Sequence, residues 1–213
     1  MLPGMARPVY VAFLADVVAS RARTPRARAT LQQRLRELAR ELNTRFRAHL
    51  AARAAITLGD ELQALFTSPT PVWQAAHELR LRLPDVEWVV ACGKGGLTTP
   101  LHRGATAPEL DGPCYHAARA ALDTAKANDQ VFACGGFDAC VDGHARYYSA
   151  LYRGWSAAQR VLANAQRARP GALLKELARL VGVAPTSISH RRRRMAWHLV
   201  VLGDTMFQEV LTR

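Results

Sequence analysis

Three acidic residues of this 213-residue chain have the types and positions of a cation site. Asp16 ends an apolar run that is typical of a buried strand, and Asp60 and Glu61 lie in a polar turn within a second apolar region. A carboxylate at the end of a buried strand is costly unless it is exposed, paired or bound to a cation. Asp16 and Asp60 on adjacent strands would form a hard-oxygen site suited to Mg²⁺. The alternative is structural: Ser20 and Arg21 cap or pair with these carboxylates.

A second pattern, at 174–194, is typical of a helix-turn-helix. Ala178 is small enough for the crossing of two helices, Gly182 permits the left-handed turn between them, and Ile188 anchors the second helix. The second helix continues into four consecutive arginines, Arg191–Arg194. A basic run beside this spacing predicts DNA as the partner. The alternative is two core helices joined by a glycine turn.

Side chains of the second helix that face away from Ile188 would meet a DNA groove. We expect Arg193 to contact a guanine and its two neighbours Arg192 and Arg194 to contact phosphate. The N-terminal amides of this helix are available to a phosphate as well. The alternative is a solvated basic face. The predicted DNA-contacting residues are Thr186, Ser187, Ser189, His190, Arg192, Arg193 and Arg194.

Composition favours a polyanionic partner, because 29 Lys and Arg against 17 Asp and Glu give a net charge of +12. The four cysteines have neither CxxC nor zinc-finger spacing, which predicts free buried thiols in a reducing cytoplasm. Asp16 interrupts the first apolar run before a signal-peptide core is complete, and no apolar run reaches membrane-spanning length. We therefore expect a cytoplasmic protein without a membrane partner.

The predicted elements follow the order strand, helix, paired strands, helix, strand, helix, strand, and then helices only. This order is typical of an α+β sandwich of ferredoxin-like, nucleotide-cyclase-like type. We predict an α+β domain over 1–136 and a helical domain with the helix-turn-helix over 137–213. The predicted strands cover 9–18, two parts of 55–66, 86–92 and 131–134, the predicted helices cover 24–50, 72–83 and 112–126, and 93–96 is predicted as a turn.

The acidic residues carry a family resemblance. A strand-end aspartate, Asp16, followed by a hairpin Gly-Asp at Asp60, resembles the class III nucleotide cyclases and, more distantly, the GGDEF diguanylate cyclases. In those families the two aspartates hold the metals that engage a triphosphate. The segment Gly112–Arg119 looks like the cyclase helix whose arginine stabilises phosphate charge. The resemblance implies Asp16 and Asp60 as metal ligands, with Glu61 and Arg119 toward a nucleotide.

Two positions depart from the cyclase pattern. Tyr115 stands where cyclases have a catalytic asparagine, and Ile56 stands where adenine-selective cyclases have a lysine. The resemblance therefore implies nucleotide or metal binding more strongly than cyclase activity. His116, on the same predicted helix as Tyr115, is expected to be a satisfied histidine rather than a base.

A closer resemblance covers nearly the whole chain. Val11–Arg21, Thr57–Gln63, Asp111–Arg119 and the helix-turn-helix resemble the SatD family, bacterial proteins of about this size that are associated with acid tolerance in streptococci. The resemblance implies a cyclase-like N-terminal domain joined to a DNA-binding-like C-terminal one.

Together these features predict a DNA-binding regulatory protein whose N-terminal domain binds a nucleotide or a divalent cation. A remaining apolar stripe would pack on the N-terminal domain or form the seam of a homodimer. The alternatives are a magnesium-dependent nucleotide-transforming enzyme that uses Asp16, Asp60 and Arg119, and a protein–protein adaptor. The stripe consists of Met195, Leu199, Leu202, Met206 and Val210.

Overall fold

A computed structural model describes residues 8–19, 24–57 and 59–213. Its centre is a five-stranded sheet with the strand order β2-β3-β1-β4-β5. β1 runs antiparallel to β3 and β4, β2 antiparallel to β3, and β5 parallel to β4. The predicted mixed α+β architecture is therefore confirmed. The strands are β1 (Tyr10–Val17), β2 (Leu50–Ile56), β3 (Leu62–Phe66), β4 (Trp88–Gly95) and β5 (Phe132–Gly135).

Eight helices lie within the described residues, and their starts follow ordinary capping chemistry. Thr24 accepts a hydrogen bond from the Ala27 N–H at the start of α1, and Ser156 forms a capping box with Gln159 at the start of α5. The helices are α1 (Pro25–Arg45), α2 (Val72–Arg82), α3 (Pro113–Ala127), α4 (Ala139–Gly154), α5 (Ala157–Ala168), α6 (Leu174–Val181), α7 (Pro185–Arg194) and α8 (Trp197–Thr212).

The first helix is shorter than its apolar periodicity predicts. α1 ends at Arg45 rather than near Leu50. The chain leaves the helix at Phe46, whose buried ring packs edge-on against Phe66 of β3 with ring centroids 6.1 Å apart. This contact turns the chain back to the sheet, so β2 already begins at Leu50.

The predicted turn at 93–96 is wrong, because β4 continues to Gly95. A Cβ on Gly93 would lie 2.2 Å from the backbone oxygen of Cys114 in α3, and one on Gly95 would lie 2.8 Å from the Cys114 nitrogen. These glycines let α3 approach the strand closely, which is the packing use of glycine in a strand. α3 therefore covers one face of the sheet at short range.

The C-terminal helices pack on the opposite face, beside α1 and α2. One apolar cluster runs from the sheet through Trp73 and Phe132 to Tyr148 of α4 and Phe207 of α8. The Trp73 ring lies 4.5 Å from the Tyr148 ring and 4.9 Å from the Phe207 ring. A continuous core thus joins the segments 1–136 and 137–213, and their division into two domains stays a prediction.

The cysteines and the lengths of the apolar helices were also predicted from the sequence. Cys92, Cys114 and Cys134 are buried free thiols, but Cys140 is exposed, so the prediction of buried thiols is wrong at that position. In the part of the chain that the structure describes, no helix is both long and apolar enough to span a membrane.

Candidate functional site

The turn between α6 and α7 has the predicted backbone geometry. Gly182 adopts φ 73° and ψ 37°, and its N–H donates to the carbonyl of Arg179. The Val183 N–H donates to the carbonyl of Ala178 at 3.0 Å. These two bonds form a Schellman motif, which satisfies the last carbonyls of α6 and redirects the chain. The sequence pattern therefore locates the turn correctly.

One side of α7 packs against the core, and the opposite side is exposed. Ile188 is fully buried and Ala178 of α6 is 3% exposed, as the pattern predicts. The opposite side of α7 carries side chains that form neither a hydrogen bond nor an ion pair with any other described residue. This free set consists of Thr186, Ser189, His190, Arg193 and Arg194.

Two predicted contact residues lie apart from the free set. Ser187 is half-buried and its N–H donates to the Ala184 carbonyl at 3.0 Å, so the expectation that the N-terminal amides of this helix are available is wrong for Ser187. Arg192 is half-buried in the wall of a groove beside Leu177 and Trp197. Arg191 is half-buried as well.

The predicted acidic site contains a short ion pair. Arg119 of α3 donates to both carboxylate oxygens of Glu61, at 2.5 and 2.7 Å, and Gln63 donates to Glu61 Oε1 at 2.7 Å. The hydrogen bond to Glu61 raises the pKa of Arg119. Glu61 is only 8% exposed, so this bidentate pair neutralises a nearly buried charge. Arg119 is thus engaged with a carboxylate of this chain, whereas the cyclase resemblance implies a contact with a nucleotide.

The two predicted metal ligands differ in their surroundings. Asp16, at the end of β1, forms an ion pair with Lys126, with Asp16 Oδ2 2.7 Å from Lys126 Nζ. Asp60 has one buried carboxylate oxygen, Oδ2, that no described residue contacts through a hydrogen bond. Among the described residues no three His, Cys, Asp or Glu side chains form a cluster that could hold a metal. The suggested partners Ser20 and Arg21, like Leu58 beside the turn, lie outside the described residues.

Tyr115 and His116 each contact another residue of this chain. The Tyr115 hydroxyl donates to the Ala107 carbonyl at 2.8 Å, and burial raises the pKa of this phenol. His116 is on the surface, with Nε2 3.1 Å from Asp111 Oδ1. Tyr115 therefore anchors the short 3₁₀ turn Ala107–Glu109 to α3.

Sequence reasoning missed a buried arginine at the junction of the helices. Arg167 of α5 donates to both carboxylate oxygens of Asp204, at 2.8 and 2.9 Å. Its guanidinium carbon also lies 5.0 to 5.5 Å from the centroids of four aromatic rings. No local pattern could reveal this site, because its partners come from separate parts of the chain. The four rings are those of Trp73, Tyr148, Trp155 and Trp197.

A second buried arginine did leave a signal in the sequence. Arg80 lies on the same stripe of α2 as Trp73 and Ala76, where a core residue is expected, and it is 4% exposed. It donates to the carbonyls of Ala76 and Val131, and its guanidinium lies 5.3 Å from the Tyr152 ring. No ion pair joins Arg80 to a carboxylate in the described part of the chain.

The predicted apolar stripe over 195–210 packs on the rest of the described chain only in part. Of its five members only Met195 is buried, whereas Leu199, Leu202 and Met206 are 56 to 59% exposed. The side that packs against the core instead carries Trp197, Val200, Phe207 and Leu211. α8 is apolar on two sides, so its periodicity does not determine which side is buried.

The fold and these sites define a class of protein: an α+β sandwich with an appended helical segment that presents a basic helix. The SatD family model matches residues 10–133, and the chain belongs to the SatD family. The matched segment ends before α4, so the C-terminal helices lie outside it.

The fold is similar to two solved structures of bacterial light-regulated adenylyl cyclases. One has a TM-score of 0.47 and 12% identity, and the match covers 61% of this chain and 76% of that chain. The other has a TM-score of 0.45 and 13% identity, with 59% of this chain and 42% of that chain covered. No match was found among curated protein sequences.

Proposed function

We propose that this SatD-family protein is a DNA-binding regulatory protein and that α7 is its recognition helix. The observation that carries the proposal is the free set on α7, which is polar and basic and has no partner in the described structure. α7 is anchored through Ile188 and through the Schellman turn at Gly182. A rigidly held helix with an unengaged basic face is what readout of a DNA groove requires.

Different residues of α7 are assigned different parts of the contact. Arg193 is assigned to a guanine edge, because guanidinium binds its O6 and N7 in a bidentate manner. Arg194 and the N–H of Thr186 are assigned to phosphate. The net charge of +12 supports association with a polyanion.

The test is recovery of random genomic DNA fragments by the purified protein at two salt concentrations. We expect one enriched motif that persists at the higher salt. Arg193→Ala should lower the preference for that motif, with a loss of about 1–3 kcal/mol in binding free energy. Arg194→Ala should weaken binding to all fragments and reduce the salt dependence.

Arg28→Ala is the matched control, because it removes an equal charge from an exposed position on α1. It should bind DNA as the parent does. Equal binding by all three variants and the parent would overturn the assignment of α7. If binding were uniform across fragments and lost at the higher salt, the basic residues would only form a surface that binds any polyanion without sequence preference.

The proposed regulator is a homodimer that pairs through the exposed side of α8. This side is lined by Leu199, Leu202 and Met206. Because α8 follows α7 directly in the chain, a two-fold axis at the α8 contact would also relate the two copies of α7. Leu202→Glu should shift the mass in solution from two chains to one, measured by light scattering. Leu180→Glu, a change of an exposed leucine on α6, is the control and should leave the mass unchanged. A parent of one-chain mass contradicts the proposal.

A second candidate function, binding or turnover of a nucleotide with Mg²⁺, is favoured by Asp60. Its buried Oδ2 has no partner among the described residues, and such an oxygen is stabilised by a cation. A bound nucleotide and Mg²⁺ should raise the melting temperature, and Asp60→Asn should abolish the rise. Asp123→Asn, on the exposed side of α3, should keep it. Absence of any rise in the parent would remove this candidate.

A further inference from the structure

Two buried cysteines face each other on neighbouring strands at one edge of the sheet. Cys92 of β4 is the direct partner of Cys134 of β5 in the parallel register, and their Sγ atoms lie 3.3 Å apart. Cys92 has no exposed surface, and Cys134 is 9% exposed. Neither thiol takes part in the proposed function, so the contact between them needs an explanation of its own.

The geometry of this pair is close to that of a disulfide. Neighbouring strands lie about 4.8 Å apart, which falls within the Cα separations of about 4.4–6.8 Å that disulfides bridge. Both side chains belong to the apolar cluster on the side of the sheet that α4 covers, so they point the same way. The sulfur atoms must approach by about 1.2 Å to reach the bond length of about 2.05 Å. A rotation of the two side chains can supply this movement while the strands stay in register.

The other two cysteines lack such a partner. Cys114 of α3 is fully buried, but it belongs to the cluster on the opposite side of the sheet and is the one cysteine of that cluster. Cys140 is exposed on the first turn of α4. A structural metal site would need about four ligands, and within residues 8–19, 24–57 and 59–213 no three His, Cys, Asp or Glu side chains lie together. The contact between Cys92 and Cys134 therefore fits a bond between the two sulfur atoms better than a metal site.

We propose that Cys92 and Cys134 are a modification site, which hydrogen peroxide oxidises to a reversible disulfide between β4 and β5. Cys134, the more exposed thiol, loses its proton and attacks one peroxide oxygen, which releases water and leaves a sulfenic acid on Cys134. The Cys92 sulfur then attacks the Cys134 sulfur, forms the S–S bond and releases a second water. Two electrons pass from the two thiols to the peroxide, which is reduced to two molecules of water.

Burial sets the conditions under which this reaction proceeds. Burial raises the pKa of the Cys134 thiol well above its ordinary value, and the hydrogen bond with Cys92 raises it further. Because the thiolate is the nucleophile, the first step is slow, and the pair stays reduced while no oxidant is present. The oxidant must also be small and uncharged to reach sulfur atoms inside the core. Oxidised glutathione, which is bulky and charged, should therefore leave the pair reduced.

The disulfide would fix the edge of the sheet. β5 has four residues and pairs with β4 alone in the described sheet. The chain then enters α4 at Ala139, so β5 connects the sheet to the C-terminal helices. The bond would join residues 42 positions apart and enclose α3 between them, which removes conformations that the unfolded segment would otherwise adopt. We therefore expect oxidation to slow the local opening of β5.

The test is treatment of the reduced full chain with hydrogen peroxide, then alkylation of the remaining thiols in denaturant and mass spectrometry of tryptic peptides. Trypsin leaves Cys134 and Cys140 on one peptide, so the measurement uses Cys140→Ser. We expect a linked pair of peptides that is two hydrogens lighter than the two thiol peptides together and that separates with dithiothreitol. Cys114, the matched buried cysteine, should be recovered as an alkylated thiol. Recovery of Cys92 and Cys134 as thiols, at a peroxide dose that oxidises Cys140 in the parent, would overturn the proposal.

Hydrogen exchange tests the consequence for β5. The amides of Phe132–Gly135 should exchange about threefold more slowly, or slower still, in oxidised than in reduced Cys140→Ser. The same chain with Cys92→Ala added is the control and should show no change with peroxide. Equal exchange in the oxidised and reduced chains, once the bond has formed, would overturn its role at β5. If the chain with Cys92→Ala does not fold, the peptide masses of Cys140→Ser still decide. No step requires DNA or a nucleotide, so failure of this proposal and failure of the α7 proposal are distinguishable.

Discussion

The regions around Arg167 and around Arg80 present the same group, a buried guanidinium, in opposite electrostatic surroundings. Arg167 has a bidentate carboxylate, Asp204, and four aromatic rings around it. Arg80 has two backbone carbonyls and one ring, and it faces a cavity. The first region is balanced by the protein itself, whereas the second has a charge that the described protein does not balance.

Two of the three predicted acidic residues belong with the balanced region. Glu61 has Arg119 and Asp16 has Lys126, both supplied by α3. Acidic residues near a strand end therefore do not by themselves indicate a ligand, because a neighbouring helix can neutralise them. An unbalanced buried charge is the more informative feature, and here it is cationic.

The largest expected effect comes from breaking the balanced pair. Arg167→Met leaves the Asp204 carboxylate, whose side chain is 20% exposed, without its partner. We expect a loss of about 3 kcal/mol or more in the free energy of unfolding, measured by urea denaturation. The double variant with Asp204→Asn should recover part of the loss. A loss below about 1 kcal/mol would contradict the assigned role of this pair.

A change of pH should reveal how the two cations act on His77, because the charges of both lower its pKa. Burial, followed by the charges of Arg167 and Arg80, lowers the pKa of His77 well below 6.5. The unfolded chain therefore binds this proton at a higher pH than the folded chain, and stability falls as the pH drops below about 6.5.

Between pH 6.5 and 5 the contribution of His77 is at most about 2 kcal/mol in the free energy of unfolding. His77→Gln keeps a donor for Asn164 Oδ1, which bonds to His77 Nδ1 at 3.1 Å. We expect this variant to lose less stability than the parent between pH 7 and 5. Equal losses in the two proteins would contradict a neutral buried histidine.

The smallest expected effect is that of Arg80→Met. No carboxylate of the described part of the chain loses a partner, and the Val131 carbonyl keeps the N–H of Val90 at 3.1 Å. We expect the free energy of unfolding to change by less than about 1 kcal/mol, since an unpaired buried charge is replaced by an apolar chain. Urea denaturation beside Arg167→Met measures the contrast. Equal losses in the free energy of unfolding for Arg80→Met and Arg167→Met would contradict the difference in charge balance between the two regions.

Local patterns in the sequence predicted the parts of the structure that local forces determine. Gly182 and Ile188 were located correctly because a Schellman turn and an apolar anchor depend on residues a few positions apart. Gly93 and Gly95 were misinterpreted because their purpose is the approach of α3, which lies further along the chain. Arg80 could have been noticed as a charge on an apolar stripe.

The sequence by itself determined the order of strands and helices, the turn before α7 and the overall positive charge. These follow from side-chain periodicity, from turn chemistry and from composition. Only the tertiary structure decided which side of α8 is buried and which charges are paired. Arg119 is paired with Glu61 and Arg167 with Asp204, while Arg80 has no carboxylate partner within residues 8–19, 24–57 and 59–213. Ion pairs join residues that are far apart in the chain, so no window of the sequence contains both partners.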